Sequence, residues 1–449
     1  MLLKLSALTF WGVVAHMKSV LTSPSTTMWF NRSEIIPIGN GRLGAMLLGQ
    51  FPDEVIPLNE DRIWSGSVND SNNKNCPGAL PQIQEFIWQD DLQSAQDMVT
   101  DNCMATPLGQ QMFQTAGNLI LTFPSASISN FNHSLDLTTA LATTIYTANG
   151  VQFTREAFAT NPDNDIVMRF SANESAHVAF TAGFVTPMTD PTVSTSSNIL
   201  KLTAMGQTVS GLVGYINFVV EVEVTVSGSN ATILSGDQTL EVSGADEALM
   251  VIAIDTNYIR YDDITGDPQS KVDSTLSAVR GKSFDEILKT HLSDYQPLFS
   301  RVSISLGTPS SNSFLPTDLR KNLPGGADVD QDVFSLYTQF GRYLGIALQG
   351  TRKLQICKVS GTLLRILAGA ANILSTSISR YIILPFVSSE NLKTSFFQMN
   401  SWLCEPLNIA ETLDPLWNLL KDMAERGATT AAEEYNIHRG WVAHHNIGI

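Results

Sequence analysis

Long apolar runs, cysteine and positive charge are all scarce in this chain of 449 residues. After the N-terminus no stretch reaches the roughly 18 uninterrupted apolar residues that a membrane helix needs, so a spanning helix is excluded from the reading. Lys and Arg number 27 against 43 Asp and Glu, a formal charge of −16. So acidic a chain is a poor binder of polyanions, which argues against nucleic acid and anionic membranes as partners. Only four cysteines are present, too few for a disulfide scaffold. Cys357 and Cys404 lack the spacing of a zinc site. What is there is a foldable composition, 43% hydrophobic, that excludes a disordered tail, a collagen and a coiled coil. At roughly 100–200 residues per domain the length suits several domains.

Lys4 followed by the apolar run Leu5–Ala15 has the make-up of a signal peptide h-region, with cleavage expected somewhere in 15–23. The expectation is a secreted, extracellular protein. Sequons at Asn31, Asn69, Asn132, Asn173 and Asn230 permit secretion without requiring it. In an oxidising compartment Cys76 and Cys103 can pair. The plainer expectation for all four cysteines is a buried small hydrophobe.

Residues 24 to about 260 read as β. Val220-Glu221-Val222-Glu223-Val224-Thr225-Val226 alternates with period two, a strand with one buried face. Ile166–Phe170 and Ala248–Ile254 are further strands, and Ser227-Gly228-Ser229-Asn230 and Ser235-Gly236-Asp237 are turns. No internal repeat is visible. From about 271 the period becomes helical. Ser283 and Glu286 form a capping box opening one helix. Phe334, Tyr337, Phe340, Leu344 and Leu348 mark the apolar stripe of a second. Leu416, Leu419, Leu420 and Met423 mark a third, with Gly427 just past its end.

Four segments hold chemistry-bearing residues. Asp328-x-Asp330-x-Asp332 lacks the glycine and glutamate of a calcium loop, so an acidic loop favouring the next helix N-terminus is the better reading. Gly39-Asn40-Gly41-Arg42-Leu43-Gly44 has no following lysine and reads as tight turns between strands. Asn59-Glu60-Asp61-Arg62-Ile63-Trp64 sets two carboxylates beside an indole. That suits a sugar, and equally a surface turn with a core tryptophan. Trp441-Val442-Ala443-His444-His445-Asn446 gathers two of only seven histidines and suits a polar pocket wall. Adjacent histidines on a regular element do not share a face, so a zinc pair is disfavoured.

Taken in order, Ile36–Ala45, Leu58-Asn59-Glu60-Asp61, Trp64-Ser65-Gly66, Asp294–Phe299, Leu315-Pro316-Thr317-Asp318 and Gln339–Tyr343 resemble glycoside hydrolase family 95. Gln398-Met399-Asn400, Trp402, Glu405-Pro406-Leu407 and Gly440–Asn446 complete the likeness to these inverting α-L-fucosidases. The resemblance implies an N-terminal antiparallel β supersandwich (24–270), a helical linker (271–331) and an (α/α)6 barrel, of which 332–449 would be an incomplete part. It implies release of terminal α-1,2-linked L-fucose or related L-galactosides from fucosylated plant or host oligosaccharides, with no cofactor and no metal. Inversion needs a protonated acid at the leaving oxygen and a base on the opposite face, with room for water between. In the family the acid is a glutamate, and the base is an asparagine pair activated by an aspartate. The residues implied to line the sugar pocket are Gln398, Asn400, Trp402, His444, His445 and Asn446, with Trp64.

This chain departs from the family where the chemistry lies. Thr394 and Phe396 stand where the asparagine pair belongs, and the acid and activating aspartate have no counterpart here, so no catalytic residue is retained and the chain is expected to be inactive. Residues 349–397 match nothing in the family. Shifted by one frame, the codons for Lys353–Gly361 can encode I-A-N-L-Q-G-L-W. Those for Ala368–Ser379 can encode W-G-S-K-Y-T-I-N-I-N-L, which restores the missing pair. A splice donor can lie at Arg380-Tyr381 and an acceptor at Phe396-Phe397-Gln398, rejoining the hidden frame at Met399. The expectation is a non-native reading frame or retained intron, and the same at Ile447–Ile449. A barrel needs about twelve helices to close, so the apolar stripes here are expected to face water, with aggregation of the helical part. The rivals are a degenerate paralogue, a non-catalytic carbohydrate-binding β-sandwich protein, and a metal- or phosphate-dependent hydrolase using His444 and His445.

Overall fold

The computed structural model describes residues 26–108, 111–325, 329–349 and 402–444. The expected signal segment, Asp328, Cys357, Thr394, Phe396, Gln398, Asn400, His445, Asn446 and the shifted-frame segment fall outside these residues.

Sixteen strands build two antiparallel sheets among the described residues. In chain order they begin β1 (Thr27–Phe30), β2 (Ile36–Gly39), β3 (Leu43–Leu47), β4 (Asp53–Glu60) and β5 (Gly117–Thr122). β6 (Ile128–Asp136), β7 (Leu141–Ala148), β8 (Val151–Thr160), β9 (Asp165–Ala172) and β10 (Val178–Val185) follow. The last are β11 (Thr189–Ser196), β12 (Ile199–Met205), β13 (Asn217–Ser227), β14 (Thr232–Ser235), β15 (Thr239–Ala245) and β16 (Glu247–Thr256). One sheet of nine strands runs β1-β6-β7-β8-β9-β16-β13-β12-β11, the other of seven β14-β15-β10-β5-β4-β3-β2. Their inner faces share one core, in which Ile56, Leu119, Leu202, Val222 and Ile252 have no solvent exposure.

β13 contains the alternating segment, and Val220, Val222 and Val224 point into that core. Its other face is not open to water, contrary to the one-sided reading. Helix α3 (Pro268–Val279) lies over it, and Val272, Leu276 and Val279 pack on Val219, Val251 and Ala253. The glutamates of the alternation therefore need partners at the seam. Glu221 accepts from Gln269 at 2.7 Å and Glu223 from Arg280 at 2.7 Å.

A helical hairpin interrupts the β region, which the sequence reading missed. α1 (Cys76–Trp88) and α2 (Leu92–Asn102) connect β4 to β5, and Cys76 is bonded to Cys103. The pairing of these two cysteines is thus realised, while Cys404 is the buried small hydrophobe expected of all four.

The capping box at Ser283 and Glu286 opens α4 (Phe284–Phe299) as expected. α4 packs Phe284 and Ile287 against the outer face of the nine-stranded sheet, and Tyr295 donates to the Leu137 carbonyl at 2.7 Å. The Leu315–Asp318 motif ends in a short helix, α5 (Thr317–Lys321), whose first hydroxyl accepts from the Trp29 amide of β1. α3, α4 and α5 therefore all pack on the β domain.

α6 (Asp332–Gln349) and α7 (Asp414–Tyr435) correct two expectations. The buried stripe of α6 is Leu336, Phe340, Tyr343, Ile346 and Ala347, whereas Phe334 and Tyr337 are exposed. The side chain of Leu348 lies outside the described residues. Gly427 sits inside α7, not past its end. A Cβ there would lie 2.5 Å from the Val442 carbonyl oxygen, so glycine is what lets the returning chain approach the helix. The helix ends at Asn436, whose φ of 53° supplies the left-handed cap.

Candidate functional site

The Gly39–Gly44 segment is a tight β2–β3 turn, as the sequence suggests. The Asn40 carboxamide oxygen accepts from the Arg42 and Leu43 amides, and Arg42 turns back into the protein. Its Nε meets Glu60 at 3.0 Å, and its Nη2 pairs with Asp255. Burial alone would depress the Arg42 pKa, but the facing carboxylates of Glu60 and Asp255 raise it. Glu60 also accepts from the Arg62 amide at 2.8 Å. The carboxylates that looked suited to a sugar are thus buried, with Glu60 saturated by arginines. They brace the turn.

Trp64 is half-buried. Its indole donates to the Asp61 carbonyl at 3.1 Å and meets Phe113 edge-on at 5.8 Å. Gly66 follows at φ +71°, where a Cβ would lie 2.5 Å from the Gln111 carboxamide oxygen. This fixes the loop that continues to Asn69–Asn73.

That loop docks on α7, and here polar groups converge. Arg426 donates to the Asn69 carbonyl, Thr430 to the Asn72 carboxamide oxygen, and Asn72 to Glu433. The Asn73 amide donates to Glu434 at 2.9 Å. Past the helix end the chain runs back along α7, with the Val442 amide on the Gly427 carbonyl. This return carries His444 to the Glu434-Tyr435 pair. Its Nε2 lies 2.9 Å from the Tyr435 hydroxyl and 3.4 Å from the second Glu434 oxygen. Burial, and then Glu434, raise the Tyr435 pKa. Glu434 is almost fully buried and His444 is exposed, so the trio offers a hydroxyl-bearing ligand donors and acceptors backed by a fixed carboxylate.

Trp402 stands elsewhere. It is exposed at the start of a turn whose Cys404 and Ile409 are buried against α6. The contacts given above for Trp64 and His444 share no residue with this turn. Of the three residues named as pocket wall that lie among the described residues, Trp64, Trp402 and His444, only His444 is seen among polar side chains of a shared cluster. The sequence reading missed Glu434, Tyr435 and Asn73. One signal was available, because glutamates in the last turn of a helix oppose its dipole and usually have another reason to be there. Asp330 and Asp332 both bind Arg320, Asp330 at 2.8 Å and Asp332 at 3.1 Å, so they fasten the entry to α6. No cluster of three metal-ligating side chains occurs among the described residues, and no described helix is long and apolar enough to cross a membrane.

Comparison with known proteins bears on this two-sheet β domain and the helices that pack onto it. Residues 20–261 match the family model for the N-terminal domain of glycosyl hydrolase family 65. Residues 283–356 and 395–449 match that for the glycosyl hydrolase family 95 catalytic domain. The chain belongs to the glycosyl hydrolases: its β domain is a member of the family 65 N-terminal domain family, and the segments that follow match part of a family 95 catalytic domain. It is 29% identical to Alpha-L-fucosidase 2 of Arabidopsis thaliana, over 92% of this chain and 50% of that one. It is 30% identical to Probable alpha-fucosidase A of Aspergillus niger, over 91% of this chain and 51% of that one. The chain therefore spans about half the length of these curated relatives. In fold it is similar to the solved structure of a human-microbiome protein assigned as a kojibiose phosphorylase, with a TM-score of 0.50 at 9% identity, covering 92% of this chain and 50% of that one.

Proposed function

We propose that this chain is built on an inverting α-L-fucosidase acting on terminal α-1,2-linked L-fucose, and that the 449-residue polypeptide does not itself hydrolyse fucosides. The observation that carries the proposal is the two-piece match to the catalytic domain, interrupted over 357–394. Thr394 and Phe396 occupy the end of that interruption and its border. A threonine hydroxyl beside a phenyl ring does not supply the two carboxamide oxygens with which the family holds the attacking water. The remaining barrel is incomplete in this reading. Exposed Phe334, Tyr337 and Trp417 on α6 and α7 support it, because apolar helix faces of that size normally meet another helix.

His444 belongs to the wall of the sugar site in this proposal, with Glu434 and Tyr435 behind it, and Gln398, Asn400, Trp402, His445, Asn446 and Trp64 join it only in a complete barrel. Fucosylated plant or host oligosaccharides are the substrate class. The protein is secreted, a reading that the Cys76–Cys103 bond supports.

The test has two arms. The transcript across the codons for 340–410 is sequenced, and the purified polypeptide is assayed for L-fucose release from an α-1,2-fucosylated oligosaccharide. The expected results are a spliced message reading W-G-S-K-Y-T-I-N-I-N-L-Q-M-N and no release by the polypeptide. Fucose release by the polypeptide overturns the loss of activity. A message encoding Thr394 and Phe396 overturns the disrupted-frame reading.

A further inference from the structure

Three turns meet at one end of the β sandwich. The β9–β10 turn holds Asn173, the β13–β14 turn holds Asn230, and Asp246 stands between β15 and β16. Asp246 ties the other two turns together. Its carboxylate accepts from the Ala176 amide at 2.7 Å, and its amide donates to the Ser227 carbonyl at 2.8 Å. From this end β16 runs to Asp255, which pairs with Arg42 of the turn that α6 covers. Ten residues at about 3.4 Å each place the two ends of β16 roughly 30 Å apart. The three turns thus form a pole remote from the end of the sandwich where α6 docks.

Both asparagines open Asn-x-Ser/Thr triplets, Asn173-Glu174-Ser175 and Asn230-Ala231-Thr232, and both are exposed. The Asn173 carboxamide oxygen accepts from the Gln152 amide at 2.8 Å, which fixes the group while its Nδ2 stays unbonded to the described residues. Asn230 is held by its backbone. A Cβ on Gly244 would lie 2.6 Å from the Asn230 carbonyl oxygen, so the turn sits tightly on β15 while the side chain faces out. The other triplets stand differently. Asn69 is half-buried where its loop docks on α7, with Arg426 on its carbonyl. Asn132 is half-buried within β6, opposite Ile145. Asn31 is exposed, but beside α5, where Arg32 pairs with Asp318, and not on this pole.

We propose that Asn173 and Asn230 carry N-linked oligosaccharides, which make this pole a sugar-covered face of the protein. The inference rests on the secretion proposed above. The donor is a lipid-linked oligosaccharyl pyrophosphate, used by a membrane oligosaccharyltransferase. The bond from the anomeric carbon to the pyrophosphate oxygen breaks and a bond from that carbon to Nδ2 forms. The amide gives up one proton to solvent, and the lipid pyrophosphate leaves. Folding then sorts the sites, because so bulky and hydrated a group is tolerated where the side chain already faces water. The sugar at Asn230 has a further consequence. β14 is the outermost strand of its sheet among the described residues and bears the exposed Leu234. A glycan at the head of β14 hinders pairing of that edge with another chain.

For the experiment the full chain is produced in insect cells in two forms, one with its own N-terminus and one behind an added cleavable secretion leader. Protein from the medium and from secretory membranes is treated with peptide-N-glycosidase in heavy-oxygen water, which marks each asparagine that bore a glycan, and its peptides are mapped by mass. The expected result is a mark at Asn173 and Asn230 in most molecules, and none at Asn69 and Asn132 in the medium. Ser175→Ala and Thr232→Ala each erase one mark, and Thr232→Ser keeps it. Unmarked Asn173 or Asn230 in the leader form overturns the proposal, as does equal marking of Asn69 and Asn132 in the medium. Marks in the leader form alone sink the secretion reading and leave the two acceptor sites standing.

Discussion

The β domain and the helices after Asp332 both carry apolar faces, to different effect. In the β domain each inner face meets the opposite sheet, with the docked face of α6 joining the same cluster, and the outer face of β9, β16 and β13 meets α3 and α4. Its edges are blunt as well. β14 has four residues, and β11 is polar, mostly exposed and broken by Pro191 at a register shift. In α6 one face docks tightly. Tyr343 donates to the Pro37 carbonyl at 2.6 Å, and the Gly41 amide donates to Ala347 at 2.8 Å. The face bearing Phe334 and Tyr337 lies open. Strands satisfy a sandwich locally, hairpin by hairpin, whereas a helix with two apolar faces needs a neighbour on each.

Substitution can break this contrast. Ile252→Ala in β16 removes a side chain with no exposure and leaves a cavity between the sheets, so unfolding in urea should show a loss of about 2–5 kcal/mol. A loss under 1 kcal/mol would mean that the sandwich core is not closed.

Asp165, at the start of β9, tests the same core by pH. It is fully buried with neither carboxylate oxygen hydrogen-bonded. Burial first, and then the neighbouring Asp163, push its pKa up to about 8 against the opposing Lys282. A carboxyl whose folded pKa exceeds its unfolded value stabilises the fold at low pH. That contribution is lost as pH rises from about 4 to about 8. Asp165→Asn should therefore gain at least about 1.4 kcal/mol over the parent at pH 8, one pKa unit's worth, with little change at pH 4. Equal effects at both pH values would show that the carboxyl titrates normally.

Phe334→Ser is the smallest expected effect. It acts on an exposed position, so stability should change by less than about 0.5 kcal/mol while self-association, read by light scattering, declines. A loss above 1 kcal/mol would mean that the open face is already covered.

Much of the β domain was legible because alternation and turn residues act locally. The Val220–Val226 pattern and the Ser283 capping box both appear where expected. The α1–α2 hairpin was hidden, because Gly78 and Pro81 speak against a helix that a disulfide and the contact with α7 sustain. The α6 stripe was misread since both of its faces are apolar, and spacing cannot say which one meets the β2–β3 turn. The site was less legible still. His444 was singled out as a rare histidine, but Glu434 joins it only through the return of the chain along α7, and Asn73 only through docking of the β-domain loop there.

By itself, then, the sequence determined the order of β and helical regions, the caps, the turns and the family likeness, since each depends on residues close along the chain. Only the tertiary structure decided that Glu60 braces Arg42, that Asp165 is buried with neither carboxylate oxygen hydrogen-bonded, and that Arg155 is buried against Glu54 between the sheets. The physical reason is that a buried charge takes its meaning from the groups opposite it, and here those groups come from other strands, far along the chain.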